Sequence, residues 1–416
     1  MRKDQTDVLI VGAGPVGLWT AVLLAEAGIA TAIIDREARS AARSYACALH
    51  PRTLKLLRRL GLAEAVLSLG RRIPSLCFYD GASRRAEIQL AQIDPEFPFL
   101  LVLPQNAFEQ VLEQHLNRAG IEVNWNHRFD TLHEADQGVT AIVEELSGTG
   151  TGYIVPHWET VVKDQRPIQA QFLVGTDGHN SLVSQRLGIQ FERFAKPEFF
   201  AAYEFESDAP LPDEARVVLD DTTANVLWPL PGNKCRWTFQ LIRSDTPADF
   251  PEKERRAVRI ARPAVDETIR HYIQKVAAQR APWFSAKVTG ISWCAQVVFE
   301  QRLARQFGRN RCWLAGDAVH QTGPVGVQSM NIGFCEAELL AGCLRKILRE
   351  KAPLSLLASY ESESRKQWQQ MLVSGLKSGS ETDPWVSERS RRLLPCLPGS
   401  NGDLARLAAQ LKLHFP

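Results

Sequence analysis

Several features that mark other classes of protein are missing from this sequence. It contains no run of about 18 apolar residues, so no transmembrane helix is expected. The N-terminus lacks the long apolar run and small-residue cleavage site of a signal peptide. The formal net charge is only +2, which gives no electrostatic reason to expect a nucleic-acid partner. A cytoplasmic location is therefore the expectation.

The eight cysteines form no recognisable metal or redox motif. No two of them have the CxxC spacing, so neither a zinc site nor a redox dithiol is indicated, and no metal is predicted. What remains is the composition of an ordinary globular protein, with 45% hydrophobic and 23% charged residues. A chain of 416 residues is long enough for coupled layers around a large core.

The first 35 residues predict a βαβ unit with a phosphate-binding turn. The apolar run Val8–Val11 is typical of a buried parallel strand, and Gly12-Ala13-Gly14-Pro15-Val16-Gly17 follows it at the start of an apolar helix. The three glycines allow a tight turn, close approach to a pyrophosphate, and close packing of helix on strand. Asp35 lies 18 residues after Gly17, at the end of the second strand, where a carboxylate can bind an adenosine ribose. The sequence therefore predicts a dinucleotide site, although FAD and NAD share this fingerprint.

The rest of the chain predicts an α/β fold with an inserted antiparallel sheet and C-terminal helices. The glycine-rich segment 148–152 does not open a helix and is predicted to be a turn. The predicted elements are a hairpin at 76–90, a helix at 106–118, strands at 139–146 and 172–174, a strand-rich region at 199–242, helical segments at 252–279 broken at Pro263, a helix at 332–348 and a helical tail at 403–413. The apolar spacing of Leu404, Leu407, Ala408 and Leu411 favours docking of this tail on the protein itself over contact with a membrane.

Two later segments resemble motifs of one flavoprotein family. Phe172–Gly178, with Ser181, resembles its Asp-Gly motif, and Trp313–His320, with Pro324 and Gln328–Asn331, resembles its Gly-Asp motif. Arg43, the run Leu49–Leu54 and Gln105 also look like that family. The family is the para-hydroxybenzoate hydroxylase-like, or group A, FAD-dependent aromatic monooxygenases, and the resemblance spans roughly residues 7–360.

The resemblance implies a domain organisation and a set of cofactor contacts. A Rossmann-type FAD-binding domain would comprise residues 1–74, 100–190 and 285–350, a substrate-binding sheet domain 75–99 and 191–284, and a C-terminal helical region 351–416. FAD would be bound non-covalently. No catalytic residue is assigned, because the flavin performs most of the chemistry. Pro324 and Val327 would lie beside its isoalloxazine ring. The implied cofactor-binding residues are Gly12, Gly14, Pro15, Val16, Gly17, Asp35, Arg36, Arg43, Gln105, Asp177, Gly316, Asp317, Pro324, Gln328, Ser329, Met330 and Asn331.

Some positions depart from the family pattern. The usual glycines of the flavin loop are Val327 and Ser329 here, and the usual Asp of the following helix is Glu336. Because a β-branched residue at positive φ is a genuine outlier, negative φ is predicted at Val327, with its side chain towards the substrate cavity. His320 is interpreted as structural. Four aromatic residues are candidate walls of the substrate pocket, although core packing is favoured for each: Tyr203, Trp228, Trp237 and Phe239.

The implied function is insertion of one oxygen atom from O₂ into an aromatic or other electron-rich small molecule, with NADH or NADPH as electron donor. Only one nucleotide fingerprint is present, so no second Rossmann domain for NAD(P)H is expected. The alternatives are a flavin-dependent reductase or desaturase, a halogenase, and a protein that uses FAD as a scaffold for a non-redox cyclisation. A halogenase is not supported, because the Trp-x-Trp-x-Ile-Pro segment that halogenases usually show does not occur in this sequence. A monomer or homodimer is expected.

Overall fold

The computed structural model describes residues 5–39, 47–151, 157–242, 263–373, 375–400 and 402–416. Its helices, in chain order, are α1 (Pro15–Glu26), α2 (Pro51–Arg59), α3 (Ala63–Leu67), α4 (Gln105–Arg118), α5 (Leu182–Arg186), α6 (Pro263–Arg280), α7 (Gln328–Glu350), α8 (Leu357–Val373), α9 (Pro384–Glu388), α10 (Ser390–Leu393) and α11 (Gly402–Gln410). Its strands are β1 (Gln5–Val11), β2 (Thr31–Ile34), β3 (Ala48–Leu49), β4 (Arg71–Ile73), β5 (Ser75–Asp80), β6 (Ser83–Gln89), β7 (Leu100–Val102), β8 (Val123–Asn124), β9 (His127–Ala135), β10 (Gly138–Thr151), β11 (His157–Gly175), β12 (Phe191–Arg193), β13 (Glu198–Ser207), β14 (Glu214–Leu219), β15 (Ala224–Pro229), β16 (Lys234–Leu241), β17 (Val288–Phe299), β18 (Arg302–Ala304), β19 (Gly308–Arg309), β20 (Cys312–Leu314), β21 (His320–Gln321), β22 (Lys377–Ser378) and β23 (Leu413–His414).

A mixed sheet forms the frame of the nucleotide-binding unit. Its strand order is β19-β20-β11-β1-β2-β8, and β10 and β9 extend from β11 as an antiparallel arm. The pairs β20–β11, β11–β1, β1–β2 and β2–β8 are parallel. Residues 8–11 of β1 are buried, as a strand covered on both faces requires. Helix α7 packs on α1, where Trp19 stacks on Phe334 with 5.4 Å between ring centroids.

A second sheet of mainly antiparallel strands has the order β17-β13-β16-β15-β14-β5-β6. The predicted hairpin at 76–90 is confirmed as β5 and β6 and forms one edge of this sheet. Side chains on one face join the main core with the nucleotide-binding unit, for example Phe78, Phe200 and Trp228. Side chains on the other face form a separate core with α6, for example Trp237 and Ile273. The sheet therefore has one face turned towards the nucleotide-binding unit.

The C-terminal helices fold back onto the body of the protein. Trp368 of α8 lies in the main core and is fully buried. In the tail, Leu404, Leu407 and Ala408 of α11 are buried, and Gln410 exchanges hydrogen bonds with the backbone of Gln89. The prediction that the tail docks on the protein itself is confirmed. No helix of the described residues is long and apolar enough to cross a membrane.

Three expectations about individual segments need correction. Residues 148–151 are not a turn, because Gly148 to Thr151 continue β10 and pair with β11; Gly152 lies outside the described residues. The strand β17, which a boundary at residue 284 assigns to the FAD-binding domain, pairs instead with β13 in the antiparallel sheet. Helix α7 begins at Gln328 rather than at about Ile332. The first part of the predicted helical segment, up to residue 262, also lies outside the described residues.

Candidate active site

The glycine-rich, Asp-Gly and Gly-Asp motifs meet because four parallel strands end at one edge of the sheet. Val11 at the end of β1 is level with Ile34 of β2 and with Gly175 of β11, and Gly175 is level with Leu314 of β20. The glycine-rich turn, Asp35, Asp177 and Asp317 follow these ends directly. In open α/β sheets ligands bind outside the carboxyl ends of the strands. The sheet topology therefore brings the separated sequence motifs to one site.

Of the three glycines in the first turn, two are packed closely against other backbone atoms and the third borders free space. A Cβ atom on Gly12, where φ is 106°, would lie 2.5 Å from the Thr176 carbonyl oxygen, and one on Gly17 would lie 1.9 Å from the Gly12 carbonyl oxygen. Thr176 Oγ1 also donates to the Gly12 carbonyl at 2.9 Å. By contrast, a Cβ on Gly14 would meet no atom within 4 Å. The turn is thus tight against β11 but leaves free space at Gly14.

The N-terminus of α1 presents its amide groups to this space. Gly14 is the N-cap residue without a side-chain hydrogen bond, Pro15 follows it, and the first turn has no acidic residue. Unpaired N–H groups and the helix dipole together attract an anion, such as a pyrophosphate. The half-buried Asp35 steadies the turn, since its carboxylate accepts hydrogen bonds from the amides of Ala13 at 2.7 Å and Glu37 at 2.8 Å. Arg36 is exposed and pairs with Glu37.

Asp177 joins the end of β11 to helix α5. Its Oδ2 atom accepts hydrogen bonds from the amides of Leu182 at 2.7 Å and Val183 at 3.2 Å. Its Oδ1 atom is buried and has no hydrogen-bond partner among the described residues. Burial raises the pKa of this carboxyl group, and the hydrogen bonds that it accepts oppose the rise. Asp177 therefore accepts from the first two amides of α5, whose N-cap residue is Ser181, and its Oδ1 atom remains without a donor.

The Gly-Asp motif packs directly on the first turn. Gly316, at φ 64°, and Gly333 of α7 both face Val16, because a Cβ on either would lie 3.1 Å or 2.8 Å from Val16 Cγ2. Asp317 follows Gly316 and has an exposed side chain. Although this carboxylate reaches solvent, the surrounding protein is dense enough to raise its pKa by desolvation, with His320 and Arg302 opposing the shift. The contacts of Val16 thus bring the first and last motifs together.

The segment Thr322–Val327, named here the 322–327 loop, leads into α7. The prediction of negative φ at Val327 is wrong, because Val327 is the N-cap of α7 in the left-handed conformation, at φ 49° and ψ 41°. Asn331 Nδ2 donates to the Val327 carbonyl oxygen at 2.8 Å, and the Gly326 amide donates to the Pro395 carbonyl oxygen at 3.1 Å. These two hydrogen bonds, one local and one to a segment distant in sequence, hold the backbone in a conformation that valine alone disfavours. As at α1, the N-terminus of α7 has neither a side-chain cap nor an acidic residue in its first turn.

Several of the predicted contact residues use their side chains within the protein. Asn331 is fully hydrogen-bonded, accepting from the His50 amide at 2.8 Å and Thr53 Oγ1 at 2.7 Å while donating to the carbonyls of Ala48 and Val327. Gln328 is buried, and its Nε2 donates to the carbonyls of Leu394 and Leu397. Any contact of Asn331 with a ligand would therefore come from its backbone, as the resemblance also implies.

Four further residues that were predicted to contact FAD lie in the 322–327 loop, in α7 and in α4. Ser329 hydrogen-bonds to Thr322, and its neighbour Met330 is half-buried, as is Pro324 within the loop. Gln105 is the first residue of α4, which packs on α1, and its side chain donates to Glu109. Arg43 lies outside the described residues.

The candidate wall residues do not share one face of the antiparallel sheet. Tyr203, Trp237 and Phe239 belong to the core beneath α6, where Trp237 stacks on Phe239 with 5.0 Å between centroids. Trp228 lies on the opposite face, in the core shared with the nucleotide-binding unit, and is 1% exposed. All four side chains are buried in these two cores, as the preferred interpretation expects, and of the four only Trp228 lies on the face that turns towards the nucleotide-binding unit.

The positions of two features near the 322–327 loop were not predicted from the sequence. One is Glu198, at the start of β13, whose Oε2 atom would lie 3.9 Å from a Cβ on Gly323. The other is the segment Leu394–Leu397, whose carbonyl groups bind Gly326 and Gln328. Strand alternation could have placed Glu198 on the same face as Phe200, but nothing in the sequence says which face turns to the loop.

A parallel sheet with a glycine-rich turn, an open helix N-terminus and an acidic residue after the second strand defines a Rossmann-type dinucleotide-binding protein. The chain belongs to the FAD-binding domain family, whose model matches residues 5–374. This finding confirms the flavoprotein family that the sequence motifs indicate.

The chain is similar to enzymes named as monooxygenases of aromatic compounds. It is 28% identical to the uncharacterized aromatic compound monooxygenase YhjG of Bacillus subtilis (strain 168), covering 86% of this chain and 65% of that protein. It is 27% identical to para-nitrophenol 4-monooxygenase of Pseudomonas sp. (strain WBC-3), covering 86% of this chain and 82% of the relative. The fold matches the crystal structure of p-nitrophenol 4-monooxygenase from Pseudomonas putida DLL-E4, with a TM-score of 0.74 and 23% identity over 94% of each chain. The chain thus spans slightly less than two thirds of YhjG.

Proposed function

We propose that this chain is an FAD-dependent monooxygenase that inserts one oxygen atom from O₂ into an aromatic or other electron-rich small molecule. NADH or NADPH would supply the electrons. The observation that carries the proposal is the meeting of the glycine-rich turn, the Asp-Gly motif and the Gly-Asp motif at one sheet edge. The names of the relatives support the choice of a monooxygenase over a reductase, desaturase or halogenase.

The residues at this edge suit FAD in three respects. The space at Gly14 and the uncapped N-terminus of α1 suit a pyrophosphate. The buried Oδ1 atom of Asp177 needs a hydrogen-bond donor, which a bound ligand or water would provide. The exposed Asp317 carboxylate can accept hydrogen bonds from the hydroxyl groups of a ribityl chain.

We assign FAD contacts to the residues that the resemblance implies. Gly12, Gly14 and Gly17 would hold the pyrophosphate with Pro15 and Val16, and Asp35 and Arg36 would lie at the adenosine ribose. Arg43 and Gln105 would contact the pyrophosphate or ribityl region. Pro324, Val327 and the backbone of Gln328–Asn331 would lie beside the isoalloxazine ring. When bound, FAD supplies the redox chemistry of this reaction.

The protein's own contribution would be to bind the substrate and exclude water. We place the substrate between the 322–327 loop and the face of the antiparallel sheet that bears Glu198, Phe200 and Trp228. The free N-terminus of α7 would favour negative charge on the ring system that it faces. Water exclusion would protect reactive species from hydrolysis.

We also propose a cytoplasmic location and a monomeric or homodimeric state. The location is supported by the eight free cysteines, which form no disulfide bond in the structure. The oligomeric state is proposed from the resemblance alone.

The test combines cofactor content with reaction stoichiometry. Purified protein should be yellow and release one intact FAD per chain on denaturation. An accepted aromatic substrate should accelerate NAD(P)H oxidation, with equal consumption of O₂ and formation of a hydroxylated product. Oxidation of NAD(P)H or substrate without oxygen incorporation would instead identify a reductase or desaturase, and a requirement for halide would identify a halogenase.

A matched pair of glycine variants isolates the cofactor site. Gly14→Ala and Gly342→Ala each add a methyl group that meets no protein atom within 4 Å. Both proteins should fold, but only Gly14→Ala should bind FAD more weakly, because its methyl group occupies the space assigned to the pyrophosphate. Unchanged FAD affinity in Gly14→Ala would contradict the assigned position of the cofactor.

A further inference from the structure

Glu198 is a carboxylate on the face of the antiparallel sheet that turns towards the 322–327 loop. It opens β13, where alternate residues face opposite sides: Phe200 joins the main core, whereas Ala201 and Tyr203 join the core beneath α6. Glu198 therefore shares the face of Phe200. Its side chain is half-buried.

The carboxylate lies next to the loop that is proposed to border the flavin ring. The atom that a Cβ on Gly323 would meet within 4 Å is Glu198 Oε2, at 3.9 Å. A side chain at position 323 would therefore be in van der Waals contact with Oε2, which puts this atom beside the loop.

Neighbouring residues fix the orientation of this carboxylate. Gln240 Nε2 donates to Glu198 Oε1 at 2.9 Å, and Gln240 Oε1 in turn accepts from the Ala224 amide at 2.8 Å. The amide of Gln240 cannot flip without losing both hydrogen bonds. Oε1 is thus held by the sheet, and Oε2 is the atom left for the loop side.

The surroundings of Glu198 are partly apolar and contain one nearby cation. Phe200 and Phe299 form an edge-to-face pair with centroids 5.6 Å apart. Arg392 is close enough to lower the pKa of Glu198, although burial has the larger effect and raises it. Arg392 Nη1 donates to the Asp220 carbonyl oxygen, and its buried Nη2 has no hydrogen-bond partner among the described residues, so these groups form no direct contact that neutralises the carboxylate.

We propose that Glu198 Oε2 is the substrate-facing hydrogen-bond acceptor of the pocket, and that it selects aromatic rings bearing a hydroxyl or amino group. This inference rests on the proposed function and adds a specificity-determining residue to it. A ligand that covers this acceptor without donating to it displaces its water and leaves it unpaired, so the site would reject such a ligand. No proton needs to be transferred for this selection.

The experiment compares ligands that differ in one donor proton. Phenol and anisole, and aniline and N,N-dimethylaniline, are titrated against the oxidised FAD-bound protein, with the change in flavin absorbance as the readout. Each donor-bearing ligand should bind the wild type about 10- to 100-fold more tightly than its methylated partner. Glu198→Ala should reduce this ratio to about one, whereas Glu206→Ala, on the exposed end of the same strand, should preserve it.

Glu198→Gln gives a sharper test of orientation. Because Gln240 donates to the atom at the Oε1 position, that atom should be the amide oxygen of the new side chain. The amide NH₂ group would then face the loop as a donor. Because the oxygen or nitrogen atom of either member of a ligand pair can accept from it, the preference for the donor-bearing ligand should be lost. A purely structural role for Glu198 would weaken both members of each pair equally.

The outcomes separate this inference from the proposed function. Wild-type protein that hydroxylates aromatic compounds but has the same ligand ratios as Glu198→Ala would overturn only the role of Glu198. Wild-type protein whose flavin spectrum responds to none of the four ligands would also overturn it. Absence of any substrate-dependent O₂ consumption would overturn the proposed function itself, even if the binding ratios behaved as expected.

Discussion

His320 Nε2 lies 2.7 Å from Glu336 Oε2, and neither side chain has any exposure to solvent. The same carboxylate accepts from Trp368 Nε1 at 2.6 Å and from the Gly316 amide at 3.3 Å. The ring of His320 stacks on Trp368 with 3.9 Å between centroids. Glu336 therefore connects the Gly-Asp motif, α7 and α8 through one buried carboxylate, and the structural interpretation of His320 is consistent with this arrangement.

The first prediction is that Glu336→Ala strongly destabilises the protein. The substitution leaves buried donors on Trp368 and Gly316 without an acceptor, so the free energy of unfolding should fall by about 3–5 kcal/mol. The control is Glu338→Ala, which removes a partly exposed ion pair with Arg59 and should cost less than about 1 kcal/mol. Urea unfolding of the FAD-free proteins measures both values. Similar losses of unfolding free energy in the two variants would show that the buried carboxylate contributes no more to stability than the exposed one.

The second prediction concerns backbone strain at Val327. Val325 and Val327 are 4% and 7% exposed, but only Val327 has positive φ. Val→Gly at either position loses the burial of one side chain, whereas at position 327 it also relieves left-handed strain of about 1–2 kcal/mol. Val325→Gly should therefore be the more destabilising variant by about that amount. Equal losses in chemical denaturation would mean that the loop imposes no strain.

The same Val327→Gly variant tests the proposed position of the loop. If the valine side chain faces the substrate cavity, its removal should alter substrate choice or the coupling of NAD(P)H oxidation to product formation. FAD affinity should remain nearly unchanged, because the assigned pyrophosphate contacts are at Gly12–Gly17. An unchanged substrate profile and unchanged coupling would mean that the side chain contributes only to the main core, of which it is a member.

The predictable parts of the site are those encoded by short stretches of chain. The βαβ opening, its glycine-rich turn and Asp35 lie within 35 residues, and the structure has them as β1, α1 and β2. The helices at 106–118 and 332–348 follow from their apolar periodicity and appear as α4 and α7. Local propensity and pattern determine these elements, so one sequence is sufficient to place them.

The errors arise where distant parts of the chain decide the conformation. Val327 is held at positive φ by hydrogen bonds at Asn331 and Gly326, the latter to Pro395, which is far away in sequence. Gly148 remains in a strand because β11 pairs with it. Alternation along β13 separates Glu198 from Tyr203, but which face meets α6 and which meets the 322–327 loop depends on tertiary packing.

The third prediction is acid lability caused by His50. Its Nε2 lies 3.0 Å from the Gly326 carbonyl oxygen, and burial lowers its pKa from 6.5 to about 4. The folded pKa is below the unfolded value, so the unfolded state binds more protons between these two values. The stabilising effect of neutral His50 is complete above pH 6.5 and is lost as the pH falls towards 4, by up to about 3 kcal/mol.

The measurement is the free energy of unfolding across this pH range. His50→Gln cannot take up the proton, so its stability should fall less steeply than that of the wild type between pH 6.5 and 4. His133→Gln, which replaces an exposed histidine, should follow the wild-type curve. Parallel curves for the wild type and His50→Gln would remove His50 as the source of acid lability.

The fourth prediction is that Asp317→Ala weakens FAD binding more than Asp35→Asn does. The exposed Asp317 carboxylate is proposed to accept hydrogen bonds from the ribityl chain, and loss of a charged acceptor should weaken binding about 10- to 100-fold. Asn at position 35 keeps the size of the side chain and one of the two oxygen atoms that accept from the amides of Ala13 and Glu37, so only one of these hydrogen bonds is lost. Quenching of FAD fluorescence on titration with FAD-free protein gives the dissociation constants.

The control is Asp136→Ala, at an exposed position in the turn between β9 and β10, which should have the same dissociation constant as the wild type. Equal constants for Asp317→Ala, Asp35→Asn and wild type would remove both residues from the assigned cofactor site, whereas a larger effect at Asp35 would reverse their order of importance.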